Sequence, residues 1–322
     1  MSGGVSGNGA AIQGERSAHW GGAISFCGLR LTAPIINASG TFDAIAARRV
    51  FGEALLDRFP FAAFVTKTVT LEPRAGNPPP RLWELAGGLL NSIGLPNKGL
   101  GGFLASDLPQ LADLPVPLIV NVMGSSPREF APLVQAIAER PEVAALELNV
   151  SCPNVKTGLD IGADPRALGS LLGRVRPLTD KPLIVKLTPN TTDVARTAKS
   201  AEEGGADAVS LINTLRGMAL APRTDEPWLG GVTGGVSGPA IRAVALAQVY
   251  AVRKAVEIPI VGMGGVQNGR DALNLLNAGA DLVAVGSESF RDPTAGSRIA
   301  RELAAWRSRS PEIPQTAGFS ST

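Results

Sequence analysis

The chain carries one histidine, His19, and two cysteines, Cys27 and Cys152. His19 stands in a Gly- and Ser-rich opening, so a Ser-His-Asp or Cys-His nucleophile system lacks its base and histidine-bound metals lose their usual ligand. The two cysteines are far apart and neither belongs to a CxxC pair, which excludes a disulfide framework and a four-cysteine zinc or iron–sulfur site. A proton acceptor must come from elsewhere. Cys152, in LELNVSCPNVKTG, lies past an apolar run in a loop with Pro153. A thiol with an ordinary pKa of about 8.5 can serve as a base when it is exposed and close to positive charge. A free cysteine is as readily a small buried hydrophobe, so the catalytic and structural readings of Cys152 both stay open. Cys27, in SFCGLRL, reads as a structural residue near an N-terminal hairpin.

Other polar residues follow apolar runs: Ser39, Lys67, Asn121, Asn149, Lys186, and Asn213 with Thr214. Two cations and several amides directed into one cavity suit an anionic, hydrogen-bonding ligand with planar or delocalised charge. No GxxxxGK[ST] occurs, and GMGGVQNG from Gly262 lacks the third glycine of a dinucleotide fingerprint. Gly264 with Gly265, and Gly286 with Ser287, nevertheless follow two further apolar runs. Small residues there let backbone N–H groups approach a phosphate, although each pair could also be a plain tight turn.

These residues need elements to position them. Short runs rich in β-branched residues recur near Ile35, Val65, Ile119, Leu148, Val185, Leu211, Val261 and Val283. Near-continuous apolar runs are what parallel strands buried on both faces look like. Helical stripes lie between several of them: Leu168, Leu171, Leu172 and Val175 share one face, and Ile241, Val244, Ala245, Gln248 and Val252 another. Gly204 and Gly205, and later Gly279, end helices that start near Thr192 and Asp271. Eight strands alternating with helices predict a (β/α)8 TIM barrel, with a doubly wound open sheet as the alternative. The polar residues above then share the C-terminal face, where barrels place their chemistry. Two long Gly- and Pro-rich connections, about 70–115 and 214–238, follow the second and sixth strands and read as functional lids or as surface decoration.

Composition narrows the class of partner. There are 322 residues, 44% hydrophobic, with 30 Lys and Arg against 28 Asp and Glu for a net charge of +2. Bulk charge so near neutral gives no reason to expect nucleic-acid binding. No apolar run approaches the roughly 18 residues of a membrane span, and residues 1–22 lack the apolar core of a signal peptide. The expected organisation is a leader over 1–22, one barrel domain over 23–306 and a flexible tail over 307–322, in a reducing cytoplasm.

Taken together, NASGTF at Asn37, KTVTLEPRAGNPPPR at Lys67, LLNSIGLPNKG at Leu89, LNVSCPN at Leu148, VKLTPN at Val185, INTLRGM at Ile212, TGGVSGPAI at Thr233 and GMGGV at Gly262 resemble the blocks of the class 1 dihydroorotate dehydrogenases, in that family's order. The class 2 enzymes carry serine where this chain has Cys152, and NSIGLPN, NVMG and INTLRGM look most like the B type. The resemblance implies one FMN per chain, held by Ser39, Lys67, Thr68, Asn121, Asn149, Lys186, Ile212, Gly238, Gly264, Gly265, Gly286 and Ser287. It implies a dihydroorotate or orotate site of Lys67, Asn91, Ser92, Ile93, Gly94, Leu95, Asn149, Asn154, Asn213 and Thr214. Cys152 is then the base that takes the C5 proton as hydride leaves C6, in the pathway to UMP. The B type further implies a homodimer joined by a separate subunit that carries FAD and a 2Fe-2S cluster and reduces NAD. Three alternatives stand beside it: an A-type homodimer that reduces fumarate, a flavoprotein of the dihydropyrimidine dehydrogenase kind, and a barrel that binds a phosphorylated metabolite without catalysis.

Overall fold

The computed structural model describes residues 23–124, 126–150 and 161–309. Eight parallel strands form one sheet: β1 (Ile35–Asn37), β2 (Phe64–Val65), β3 (Leu118–Val122), β4 (Val143–Asn149), β5 (Leu183–Lys186), β6 (Ala208–Leu211), β7 (Ile260–Met263) and β8 (Leu282–Val285). They follow one another in chain order, and β8 returns to pair with β1. The gap left between β1 and β2 is spanned by the Ala62 N–H, which donates to the Ile35 carbonyl at 2.9 Å. Asn37 completes it: its Oδ1 accepts from the Val65 N–H and its Nδ2 donates to the Val65 carbonyl, both at 2.8 Å. A side-chain amide offers the same donor and acceptor as a peptide group, so Asn37 replaces the missing rung of the ladder. The sheet is the (β/α)8 barrel that the rhythm of apolar runs predicts, and all eight runs are strands.

Side chains alternate across a strand, so each of these short segments feeds two cores. Ile36, Val65, Ile119, Ala145, Ile184, Ala208, Val261 and Leu282 gather in one cluster inside the barrel. Val120, Leu146, Val185, Val209, Ile260 and Val283 belong to the other, shared with the helices. Burial on both faces is the physical reason the strands read as unbroken apolar runs. The N-terminal hairpin, Ile24–Phe26 paired with Leu29–Leu31, adds Phe26 and Leu31 to the inner cluster. Its turn places Cys27 and Gly28 at positive φ, as a two-residue hairpin turn requires. The Cys27 thiol donates to the Asp207 carbonyl at 3.4 Å, and burial, with Asp207 and Asp281 nearby, pushes it up to about 12. The structural reading of Cys27 is borne out.

The outer layer consists of α1 (Ala44–Phe51), α2 (the run 99–111, which includes a π turn over Phe103–Asp107), α3 (Pro127–Ala138), α4 (Pro165–Val175), α5 (Val194–Glu203), α6 (Arg242–Ala255), α7 (Gly269–Asn277) and α8 (Ala295–Arg309). Asp43, Asp193 and Asn268 cap α1, α5 and α7 by accepting backbone N–H groups of the first turn. On α4 the stripe of Leu168, Leu171, Leu172 and Val175 is fully buried. On α6 one expected member is corrected: the buried stripe is Ala245, Val249 and Val252, while Gln248 is half-buried and donates to the Pro189 carbonyl at 3.2 Å. The last helix runs to Arg309, so the boundary expected at residue 306 falls inside it; Arg270 stacks on Trp306 at 5.2 Å.

The two long connections are not merely loops. Leu82–Leu85 and Gly88–Asn91 from the first pair with Leu215–Gly217 and Gly234–Ser237 from the second in one four-stranded antiparallel sheet. Trp83 and Trp228 meet edge to face at 5.1 Å across it. Among the described residues no helix is long and apolar enough to cross a membrane.

Candidate active site

The alternation that fills the barrel with apolar side chains continues upward and changes character at the last inward position. Two residues beyond Ile119, Ile184 and Ala208 stand Asn121, Lys186 and Ser210, and beyond Ala145 stand Glu147 and then Asn149. All five are buried: Asn121 and Ser210 completely, Glu147 to 4%, Lys186 to 5% and Asn149 to 6% exposure. The register sets Lys186 between Asn149 on β4 and Ser210 on β6. A polar floor therefore closes the C-terminal mouth above an apolar plug.

Within that floor Glu147 accepts from Asn121 Nδ2 at 2.5 Å and from the Ser210 hydroxyl at 2.7 Å. Asn149 Nδ2 reaches the Thr68 hydroxyl at 3.5 Å, and the Thr66 hydroxyl accepts the Asn121 backbone N–H at 3.0 Å. Ser39 donates to the Thr66 carbonyl at 2.9 Å, which ties the end of β1 to the same wall. Two groups stay unanswered. Lys186 has no carboxylate within ion-pair distance among the described residues, and Asn121 Oδ1 is buried with no donor among them. Among the described residues, a buried cation with no ion pair and a buried carbonyl oxygen with no donor each carry a desolvation cost that a ligand bearing negative charge and an N–H would offset.

Lys67 differs from Lys186. It is exposed to water in the open mouth, yet the surrounding walls thin its hydration and hold its pKa below the ordinary lysine value; Arg81 adds to the lowering and Asp43 opposes it. Gly40 lies beside the Lys67 stem: a Cβ added there would sit 3.7 Å from Lys67 Cγ.

The segment from Asn91 to Leu95 is braced by amides that sequence reading passed over. Asn77 Nδ2 donates to the Ser92 hydroxyl at 2.9 Å and its backbone N–H to the Ile93 carbonyl at 3.1 Å. Asn97 donates to the Leu95 carbonyl at 2.8 Å and accepts the Gly99 N–H at 2.8 Å. Gly94 and Leu95 both take positive φ, and a Cβ on Gly94 would collide with Asn77. Asn91 donates to the Gly235 carbonyl at 3.2 Å, which links this segment to the antiparallel sheet. On the far side Asn190 donates to the Thr214 carbonyl at 3.1 Å and accepts the Arg216 N–H at 2.9 Å, while Asn213 Oδ1 accepts the Thr214 N–H at 2.8 Å.

A third cluster gathers the small residues. Gly238, Gly264 and Gly265 all have positive φ, and a Cβ on Gly265 would lie 2.9 Å from the Gly238 carbonyl. A Cβ on Gly264 would lie 3.4 Å from Ile212 Cγ1. Ser287 donates to the Ser237 hydroxyl at 2.8 Å, and a Cβ on Gly286 would make ordinary contact with Ala38 and Thr41 at 3.8 and 3.9 Å. These residues are half-buried or buried; the close backbone approach that small residues allow fits a phosphate, and the Lys186 and Asn121 pair fits a planar ring with an imide edge, so the donor set suits a flavin mononucleotide. Cys152 and Asn154 lie outside the described residues.

Of the residues that sequence reading missed, Glu147 left a signal, a lone carboxylate in the apolar run ALELNVS, in phase with Asn149. Asn97 and Asn190 stood in the quoted motifs. Asn77 likewise stood in the quoted motif KTVTLEPRAGNPPPR, whereas Ser210 carried no distinguishing pattern.

A parallel barrel whose C-terminal mouth is lined by amides, a buried lysine with no ion-pair partner among the described residues and a cluster of glycines places the chain among the (β/α)8-barrel proteins. It belongs to the dihydroorotate dehydrogenase family: the family model described as dihydroorotate dehydrogenase matches residues 23–306. The dihydroorotate dehydrogenase B (NAD(+)) catalytic subunit of Pelobacter propionicus is 47% identical over 284 residues, covering 88% of this chain and 92% of that one. The protein of the same name from Geobacter metallireducens is 45% identical over 285 residues, covering 87% and 91%.

Proposed function

We propose that this chain is the catalytic subunit of a B-type dihydroorotate dehydrogenase, which oxidises dihydroorotate to orotate for UMP synthesis and passes the electrons to NAD through a partner subunit. The observation that carries the reading is Lys186, a buried cation with no ion-pair partner among the described residues, at the mouth of a barrel of this family. FMN bound there supplies the two-electron acceptor. Lys186 offers positive charge to the edge of the ring that becomes anionic, where a preorganised charge is most effective because water is excluded. Asn121 Oδ1 offers an acceptor to its imide, and Gly238, Gly264, Gly265, Gly286 and Ser287 surround its phosphate.

Lys67 balances the substrate carboxylate, and Asn91, Asn149, Asn154 and Asn213 pair with the alternating N–H and C=O groups of the pyrimidine ring. Ser92, Ile93, Gly94, Leu95 and Thr214 shape that pocket. Cys152 takes the C5 proton while the C6 hydrogen departs with its electron pair. The relatives carry the name of a B-type catalytic subunit, which supports a separate partner subunit; in this reading that partner holds FAD and a 2Fe-2S cluster and joins a homodimer of this chain in the reducing cytoplasm. Residues 23–306, the span that the family model matches, form the catalytic domain in this reading.

The test is the purified protein itself. Flavin absorbance with FMN identified by mass, bleached on adding dihydroorotate, is the expected result. A colourless protein, or one holding only a phosphorylated sugar, overturns the redox assignment, and bleaching by dihydrouracil in preference to dihydroorotate moves it to the dihydropyrimidine dehydrogenase kind.

A further inference from the structure

We infer that Glu147 is a positioning residue that locks the Asn121 side-chain amide so that its carbonyl oxygen, and not its NH2 group, is presented to the cofactor. The inference rests on the proposal of a flavin at this mouth. Glu147 is 4% exposed and both of its oxygens are engaged, one by Asn121 Nδ2 at 2.5 Å and one by the Ser210 hydroxyl at 2.7 Å. Both Glu147 oxygens act as acceptors, so the Asn121 NH2 faces them and Oδ1 faces away. Flipped by a half turn, the amide would set its oxygen against the carboxylate, two acceptors at close range in a dry interior. Oδ1 is buried and has no donor among the described residues.

The arrangement is therefore a fixed acceptor awaiting an N–H. A flavin ring carries one N–H in its oxidised form, at the imide, flanked by two carbonyls. An NH2 group at Asn121 would meet that N–H donor to donor. Ser210 contributes by holding the second carboxylate oxygen, which keeps the carboxylate plane from turning. None of these three side chains supplies or removes a proton in the reaction.

Glu147→Gln tests it, because a glutamine can offer an NH2 to Asn121 and so permits both amide orientations. The apoprotein is prepared and FMN affinity is measured by fluorescence quenching in the wild type, Glu147→Gln, Asn121→Ala and the double variant. Glu147→Gln is expected to weaken FMN binding by roughly tenfold, the scale of one hydrogen bond lost or mismatched. In the Asn121→Ala background the same change is expected to have no further effect, since Glu147 acts only through Asn121. The flavin midpoint potential should shift in Glu147→Gln and Asn121→Ala in the same direction. Equal losses in both backgrounds, or an unchanged affinity in Glu147→Gln, overturn the inference. If Glu147→Gln does not fold, Ser210→Ala is read in the same cycle, with a smaller loss expected in the wild-type background and none in Asn121→Ala. Absence of any FMN binding by the wild type refutes the flavin reading instead, and this inference with it.

Discussion

At the residue scale the proposed function assigns the two cysteines opposite roles. Burial holds the Cys27 thiol at about 12, so at neutral pH it is almost wholly the unreactive thiol form. Alkylation of the native protein with iodoacetamide at pH 7.5 should therefore spare Cys27, and peptide mapping should find the label on Cys152. Cys152→Ala should leave FMN bound and slow its reduction by dihydroorotate by roughly 10²- to 10⁴-fold, the range for a lost general base, with Cys152→Ser restoring little. Reduction at the wild-type rate would move the base elsewhere. The Lys67 ammonium is held below the ordinary lysine pKa by poor hydration. Only its charged form attracts a carboxylate, so orotate affinity is full at neutral pH and declines as pH rises through that lowered value, before the roughly 10.4 of an ordinary lysine. Titrating orotate against the flavin spectrum from pH 7 to 10.5 should show this limb, and Lys67→Met should bind weakly without it.

At the element scale the decisive structure is the antiparallel sheet that joins the two long connections. Its strands place Asn91 against Gly235 and Leu89 against Ser237, so the substrate-side segment and the Gly238 turn are parts of one body. Gly88 and Gly238 touch back to back there: both have positive φ, and a Cβ on Gly88 would run into the Ser237 carbonyl. Gly88→Ala should accordingly loosen this sheet and leave the barrel intact. The expected outcome is a several-fold rise in the KM for dihydroorotate together with faster proteolysis within 82–91, while the far-ultraviolet dichroism stays that of the wild type. Unchanged KM and proteolysis would mean that the sheet absorbs the methyl group and does not brace the pocket. The N-terminal hairpin works by a different principle, since it adds Phe26 and Leu31 to the apolar cluster inside the barrel.

At the scale of the whole molecule the proposed function gives the chain one redox centre, and its sequence offers no ligand set for an iron–sulfur cluster. Two cysteines cannot supply the four ligands an iron–sulfur cluster ordinarily takes, and no dinucleotide fingerprint is complete. The isolated chain should oxidise dihydroorotate with an artificial acceptor and form little NADH, and the cognate flavin and iron–sulfur subunit should restore NAD reduction. Assays of NADH at 340 nm with and without that subunit check this. Robust NADH formation by the chain alone contradicts the proposal, and efficient fumarate reduction favours the A-type arrangement.

The barrel was legible because its strands are buried on both faces, and that leaves a local mark: eight apolar runs such as PLIVKL and DLVAVGS, each followed by small or polar residues at the face that binds ligands. The glycine cradle and Lys186 were legible for the same reason, since position at a strand end is a property of the chain itself. The antiparallel sheet was not, because its pairing joins Leu90 to Val236, and its strands are short, glycine-rich and partly exposed, with no periodicity to announce them. Nor was the closure by Asn37, whose amide stands in for a backbone rung only once β1 and β2 are side by side. Which way Asn121 points, and that Lys186 finds no counter-ion among the described residues, depend on side chains from several strands converging in the barrel. Local sequence states which groups arrive at the mouth; only their convergence in the fold decides which of them satisfy one another and which are left for a ligand.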